Sequence, residues 1–358
     1  MRSIPKRFRL NKMFWFFVVG MALAAIFIFS PTPWRGKSQA ASAFYFWRTT
    51  WTGHPELIKT LQETNTQKLY VRYFDVALDE SRAAVPVAPI SFGAALPVGM
   101  EVIPVVYLKN EVFSDISKTS SNTLAESVWR KIKLMSAAQS VIFKEVQIDC
   151  DWTLTTRDRF FEFMARINSL AHEYRSKLSA TIRLHQIKYH RTTGIPPVDR
   201  GMVMFYNMGK IADSTKRSSI FNEEDALKYV ASIKTYPLAL DVALPIFTWA
   251  VHVRGGHVVA LLQDIELDEV ASNPDFTKSK EGLFTASRDH FFSGIYFRSG
   301  EQIQFDAMSK EQTEQAAKLV ASYAPRENGF KTVAFFDLNE RNIKNYGWSH
   351  FEKILRRF

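Results

Sequence analysis

Apolar positions recur along this chain with two spacings. Short runs rich in Val, Ile and aromatic residues predict buried strands, and stretches with apolar residues three and four apart predict amphipathic helices. Strands are expected over Ala43 to Trp51, Lys68 to Val76 and Glu101 to Leu108, with a fourth through Val146 and Ile148 to Asp149. Leu178 to His185 and Met202 to Asn207 follow as fifth and sixth. A seventh, Leu238 to Val253, runs into a hairpin at Arg254-Gly255-Gly256-His257 with Val258 to Leu262, and Ser293 to Arg298 is expected as the eighth. Thr332 to Phe336 is a ninth candidate, one more than a closed barrel needs. Between the strands, helices are expected over Pro55 to Thr64, Asn122 to Ala138, Arg157 to Ser176, Asp225 to Thr235 and Lys310 to Tyr323, and 78–99 reads as a Pro- and Ala-rich connection.

Strands alternating with helices, without an internal repeat or linker, predict one α/β domain, and eight such units predict a (β/α)8 TIM-barrel-like fold over residues 44–358. A doubly wound open sheet is the rival. It is weakened by the absence of a GxGxxG turn after an early strand. A barrel carries its site at the C-terminal strand ends, where the polar residues are Asp75, Tyr107, Lys109, Asp149, Asp151, Arg183, His185, Tyr206, Asn207, Trp249 and Arg298. Each also reads as a solvated loop residue or a rim ion pair.

The fourth strand holds the most pointed chemistry. Side chains alternate along a strand, so Asp149 and Asp151 project to one side with Cα atoms roughly 6 to 7 Å apart. Two such carboxylates repel, and one holds its proton to higher pH unless a cation, a donor or a metal intervenes. That suits acid/base work. The plain alternative is a pair of acids that end a strand and cap the helix following Thr153.

Composition changes the picture only at the N-terminus. At 46% hydrophobic and 14% aromatic the chain is ordinary globular protein, and its net charge of +10 suggests an anionic partner. Seven of the basic residues, Arg2, Lys6, Arg7, Arg9, Lys12, Arg35 and Lys37, fall in residues 1–43 with no acid among them, which leaves +3 for the rest. No nucleic-acid partner is therefore expected. Basic residues, an apolar run from Met13 to Phe29, then Ser38-Gln39-Ala40-Ala41-Ser42-Ala43 have the layout of an export leader. The run suits a cleaved signal or an inner-membrane anchor. Either places the body in the periplasm or outside the cell.

The order of motifs resembles that of glycoside hydrolase family 18, the chitinase-like barrels. Ile148-Asp149-Cys150-Asp151-Trp152-Thr153 is similar to the family's fourth-strand signature of acid, x, acid, Trp, Glu. Leu178-Ser179-Ala180-Thr181, Val203-Met204-Phe205-Tyr206-Asn207, Ala243-Leu244-Pro245-Ile246-Phe247 and Ser293-Gly294-Ile295-Tyr296-Phe297 resemble its later strands. The chain also resembles a family of uncharacterised secreted bacterial proteins. The chitinase-like resemblance implies a glycan substrate, Asp149 and Asp151 as the motif's aspartates and Tyr206 as the tyrosine that holds an acetamido oxygen. It breaks at Thr153, which stands where the family's proton-donating glutamate belongs, and at Asn207, which replaces an aspartate. A threonine hydroxyl cannot protonate a leaving group at neutral pH. Either Asp151 serves as the acid with Asp75 or Glu111 as second carboxylate, or the barrel is a non-catalytic carbohydrate-binding or envelope-organising protein. Trp47, Trp51, Trp152 and Trp249 could stack on sugars or belong to the core.

No cofactor is expected. HExxH, Cys-rich, GxSxG and GxxxxGK[ST] patterns are absent, and the histidine pairs His185/His190 and His252/His257 fall on loops or opposite faces. Cys150, the only cysteine, points away from the two aspartates and reads as a buried structural thiol. The amphipathic end, 351–358, predicts a helix docked on the barrel rather than a membrane contact.

Overall fold

A computed structural model describes residues 40–114, 118–209, 218–262, 265–326 and 329–358. The expected leader lies outside the described residues up to Gln39, and among the described residues no helix is long and apolar enough to cross a membrane.

Eight parallel strands close into a barrel: β1 (Ala41–Phe46), β2 (Lys68–Leu78), β3 (Glu101–Leu108), β4 (Glu145–Asp149), β5 (Lys177–Arg183), β6 (Arg200–Met204), β7 (Leu240–Pro245) and β8 (Thr332–Phe336). Each pairs with its neighbours in sequence order, and closure comes where β1 bonds both β2, with Phe44 opposite Leu69, and β8, with Phe44 opposite Phe335. The open-sheet alternative is thereby excluded. Helices cover the outside, including Pro55–Glu63, Lys118–Ala138, Arg157–Glu173 and Lys310–Ser322. Between β2 and β3 the chain instead forms an antiparallel strand, Ala84–Val87, on the end of β2.

Period-two alternation explains the barrel wall. In β4, Val146 and Ile148 are apolar and fully buried, while Glu145, Gln147 and Asp149 take the other face, toward the axis. Polar groups inside so small a barrel must satisfy one another. Glu145 and Gln147 are satisfied in a chain: Tyr45 donates to Gln147 Oε1 at 2.6 Å, Gln147 Nε2 to Ser179 Oγ at 3.2 Å, and Ser179 Oγ to Glu145 Oε1 at 2.6 Å. Lys68 Nζ closes the series 3.3 Å from Glu145. Cys150, on the outward side, is 1% exposed, and burial pushes its thiol well above the ordinary range.

Two expectations are corrected here. Ser293 to Arg298 is not the eighth barrel strand. Ile295–Phe297 pairs antiparallel with His290–Phe292 in a two-stranded ribbon, and β8 is the run read as surplus, Thr332–Phe336. The expected seventh strand also divides: the barrel part stops at Pro245, and Thr248–Arg254 is a separate strand of a five-stranded antiparallel sheet inserted before β8. Phe276, Phe284, Phe297 and Ile303 give that insertion its own apolar core.

The C-terminal segment docks as expected. In helix Trp348–Leu355 the buried residues are His350, Phe351, Ile354 and Leu355, and Phe351 meets Phe44 and Phe335 edge-on with ring centroids 5.3 and 4.8 Å away.

Candidate functional site at the barrel mouth

The C-terminal strand ends and the inserted sheet enclose a cavity of about 520 Å³, within the usual range for ligand sites. Of the residues expected from sequence it collects Tyr107, Asp149, Asp151, Arg183, Tyr206, Asn207 and Trp249. β3 and β4 bring Tyr107 opposite Asp149 in register, and β5 delivers Arg183 from the next strand.

Asp149 is 5% exposed and accepts a 2.5 Å hydrogen bond from Thr181 Oγ1. Burial drives its carboxyl up to about 6; Asp151 adds to the rise, while Arg183 and the Thr181 hydroxyl oppose it. Asp151 is half exposed beyond the strand end and lies in a two-point ion pair with Arg183, whose Nε reaches Oδ1 and whose Nη2 is 3.1 Å from Oδ2. The guanidinium is the cation that the acid pair requires. Burial works against its charge, but Asp151 and Asp149 hold it above its ordinary value. The carboxyl that burial raises is that of Asp149.

Two phenols complete this wall. Burial, with Asp149 and Asp151 behind it, pushes Tyr107 up to about 12. Tyr206 is 5% exposed and also raised, mainly by burial; its hydroxyl donates to Met204 Sδ at 3.1 Å. Both stay protonated as donors. Asn207 takes a left-handed backbone, φ 56°, which asparagine tolerates. Trp249 packs edge-on against Phe247, centroids 5.4 Å apart, and its shielded indole N–H has no hydrogen-bond partner among the described residues.

Five expected residues fall elsewhere. Trp152 is 2% exposed, stacked on Phe160 and hydrogen-bonded through Nε1 to Thr193 O, so it is core. Asp75 does not line the cavity. A bulge between Arg72 and Phe74 shifts β2, and Arg72 closes on Asp75 through two hydrogen bonds of 2.8 and 2.6 Å. Arg298 is exposed on the inserted ribbon, because its strand is not part of the barrel. Glu111 lines a different cavity, beside Leu78 and Arg82. Thr153 is exposed, and its hydroxyl bonds those of Thr155 and Thr156.

The true β8 end supplies what the sequence reading missed: Phe336, Asp337, Asn339, Arg341 and Asn342 all line the cavity. An acid directly after a buried apolar run, as at Asp149, was the available signal.

The raised Asp149 carboxyl has a consequence for stability. Folding favours its protonated form, so its contribution is fully present below the unfolded value near 4 and is lost as pH rises through about 6. Asp149→Asn removes that loss, and leaves Asp151 its Arg183 partner. Thermal denaturation is expected to show a higher Tm for the variant at about pH 7.5 and little difference near pH 4.

No family model matches the sequence, and no curated protein matches it. Solved structures do. The spore cortex-lytic enzyme SleL of Bacillus cereus superposes with a TM-score of 0.51 at 12% identity, covering 89% of this chain and 74% of that one. A class V chitinase of Pseudomonas fluorescens Pf-5 gives 0.52 at 11% identity over 88% of this chain and 99% of its own. A GH18 chitinase mutant of Cycas revoluta, in complex with (GlcNAc)4, gives 0.52 at 12% identity over the same shares. The fold is thus GH18-like, as the motif order implied, and two of these structural neighbours are chitinases.

Proposed function

We propose that this protein is an exported glycoside-hydrolase-like barrel whose mouth cavity takes a glycan, with Asp149 and Asp151 at its centre. The observation that carries the reading is the union, in one cavity, of a buried protonatable carboxyl, an arginine–aspartate pair and an aromatic wall of Trp47, Phe247, Trp249 and Phe336. Sugars offer apolar ring faces and dense hydroxyls, and such a wall with polar groups converging on it fits both. The Cycas revoluta neighbour was solved with a chain of N-acetylglucosamine units, which makes amino-sugar oligomers the first ligands to try.

A chitinase-like mechanism does not transfer, because Thr153 is no acid and its hydroxyl is engaged with Thr155 and Thr156. The same observation favours a second reading, a carbohydrate-binding envelope protein without turnover. Export rests on the leader alone, as cleaved signal or membrane anchor. A cut after Ala43 would remove Ala41 and Ser42, which pair with Thr332 and Val333 in the barrel.

Calorimetric titration of the full chain with amino-sugar and mixed glycan oligomers tests the reading. Saturable binding is expected, about tenfold weaker in Trp249→Ala, the worth of one lost aromatic contact. A flat titration across all oligomers would remove the glycan.

A further inference from the structure

The β8 end places a second carboxylate in the cavity. Asp337 is 8% exposed and lines the same space as Asp149. In a closed ring of eight strands, β4 and β8 lie diametrically opposite, so the two acids approach from opposing walls. Tyr206, on β6's side of the ring, feels the charge of Asp149 and of Asp337 alike. Phe336 and Trp249 line the same cavity as the two acids.

Their surroundings differ in a way that separates their roles. Asp337 Oδ1 accepts two amide hydrogen bonds, from Asn339 Nδ2 at 3.0 Å and Asn342 Nδ2 at 2.5 Å, and Arg48 at the same mouth also favours its charge. Burial raises it nonetheless, which makes the carboxylate a stronger base than a solvated one. Asp149 instead has Asp151 beside it and burial holding its proton.

We propose that Asp337 is the general base of a glycoside hydrolysis that inverts the anomeric carbon, with Asp149 on the opposite wall as the general acid. In the step, the Asp149 proton passes to the glycosidic oxygen as its bond to the anomeric carbon breaks. A water attacks that carbon from the opposite face, forms the new C–O bond and gives its proton to Asp337; exchange with solvent then restores both acids. Position 153 has no part in this route, so the threonine there does not block it. The inference rests on the glycan reading above.

The plain alternative is that Asp337 only ties the turn into helix Glu340–Lys344, whose N-cap is Asn339. The full-chain protein, incubated with the β-linked tetramer of N-acetylglucosamine, separates the two by proton NMR of the freshly released anomer. Fresh α-anomer, and a kcat lowered about 10²–10⁴-fold in Asp337→Asn with tetramer affinity kept, is the expected result. Fresh β-anomer, or a variant within threefold of the parent, overturns the proposal and leaves the glycan reading standing. So does tetramer binding without turnover. No binding of the tetramer or of any oligomer in the wider panel removes the reading and this proposal together. Should Asp337→Asn fail to fold, the anomer released by the unaltered protein decides.

Discussion

Asp149→Asn is expected to lower kcat on a cleaved oligosaccharide about 10²–10⁴-fold while leaving the fold intact. The amide fits the same space and still accepts the Thr181 hydrogen bond, but it carries no transferable proton. The parent protein's pH profile gives the sign independently. An acid whose group sits near 6 is competent only while protonated, so activity falls as pH rises through that value. Burial sets the value first; Arg183 and Thr181 on β5 lower it, while Asp151 just beyond β4 and Asp75 on β2 raise it. Steady-state kinetics across pH check both parts; a rate unchanged in the variant, or a rate that climbs through pH 6 to 8, would contradict the role.

Phe351→Ala should be the most destabilising of the substitutions considered, at about 3–5 kcal/mol. The ring is 1% exposed and fills the angle between Phe44 of β1 and Phe335 of β8, the pair that closes the barrel. Its loss opens a cavity against both closing strands and unseats the C-terminal helix. For a domain of this size that corresponds to a Tm lower by about 5–15 °C, read by circular dichroism or calorimetry. A shift within 1 °C or so of zero would mean that the helix is not docked on the closure.

Much of this architecture was legible because its signals are local. β4 declares itself through Val146 and Ile148 on one face and Gln147 and Asp149 on the other, and Arg157–Glu173 through its periodic apolar face. What failed was non-local. Residues 293–298 and Thr332–Phe336 are apolar runs of similar length, and only the pairing of Phe44 with Phe335 shows which of them closes the ring. With β8 misplaced, Arg298 entered the candidate site and Asp337, Asn339 and Asn342 stayed out of it. Asp75 was lost to a bulge, which period-two counting cannot register: in a regular strand Arg72 and Asp75 face opposite ways. Trp152 shows the remaining ambiguity, since one aromatic residue after a strand can turn to ligand or core, and here Phe160 and the Thr193 carbonyl hold it in the core. The acid pair itself was visible, but its pairing with Arg183 was not, because Arg183 lies 32 residues from Asp151 in sequence.

The central claim is that the barrel-mouth cavity is where a glycan sits, between the aromatic wall and the facing carboxylates. A crystal structure of the full chain soaked with an N-acetylglucosamine tetramer tests it most directly. The account predicts a sugar ring against Trp249 within hydrogen-bonding reach of Asp149 or Asp337. Sugar density confined to another surface, such as the groove between helix Pro55–Glu63 and Trp348, would contradict it.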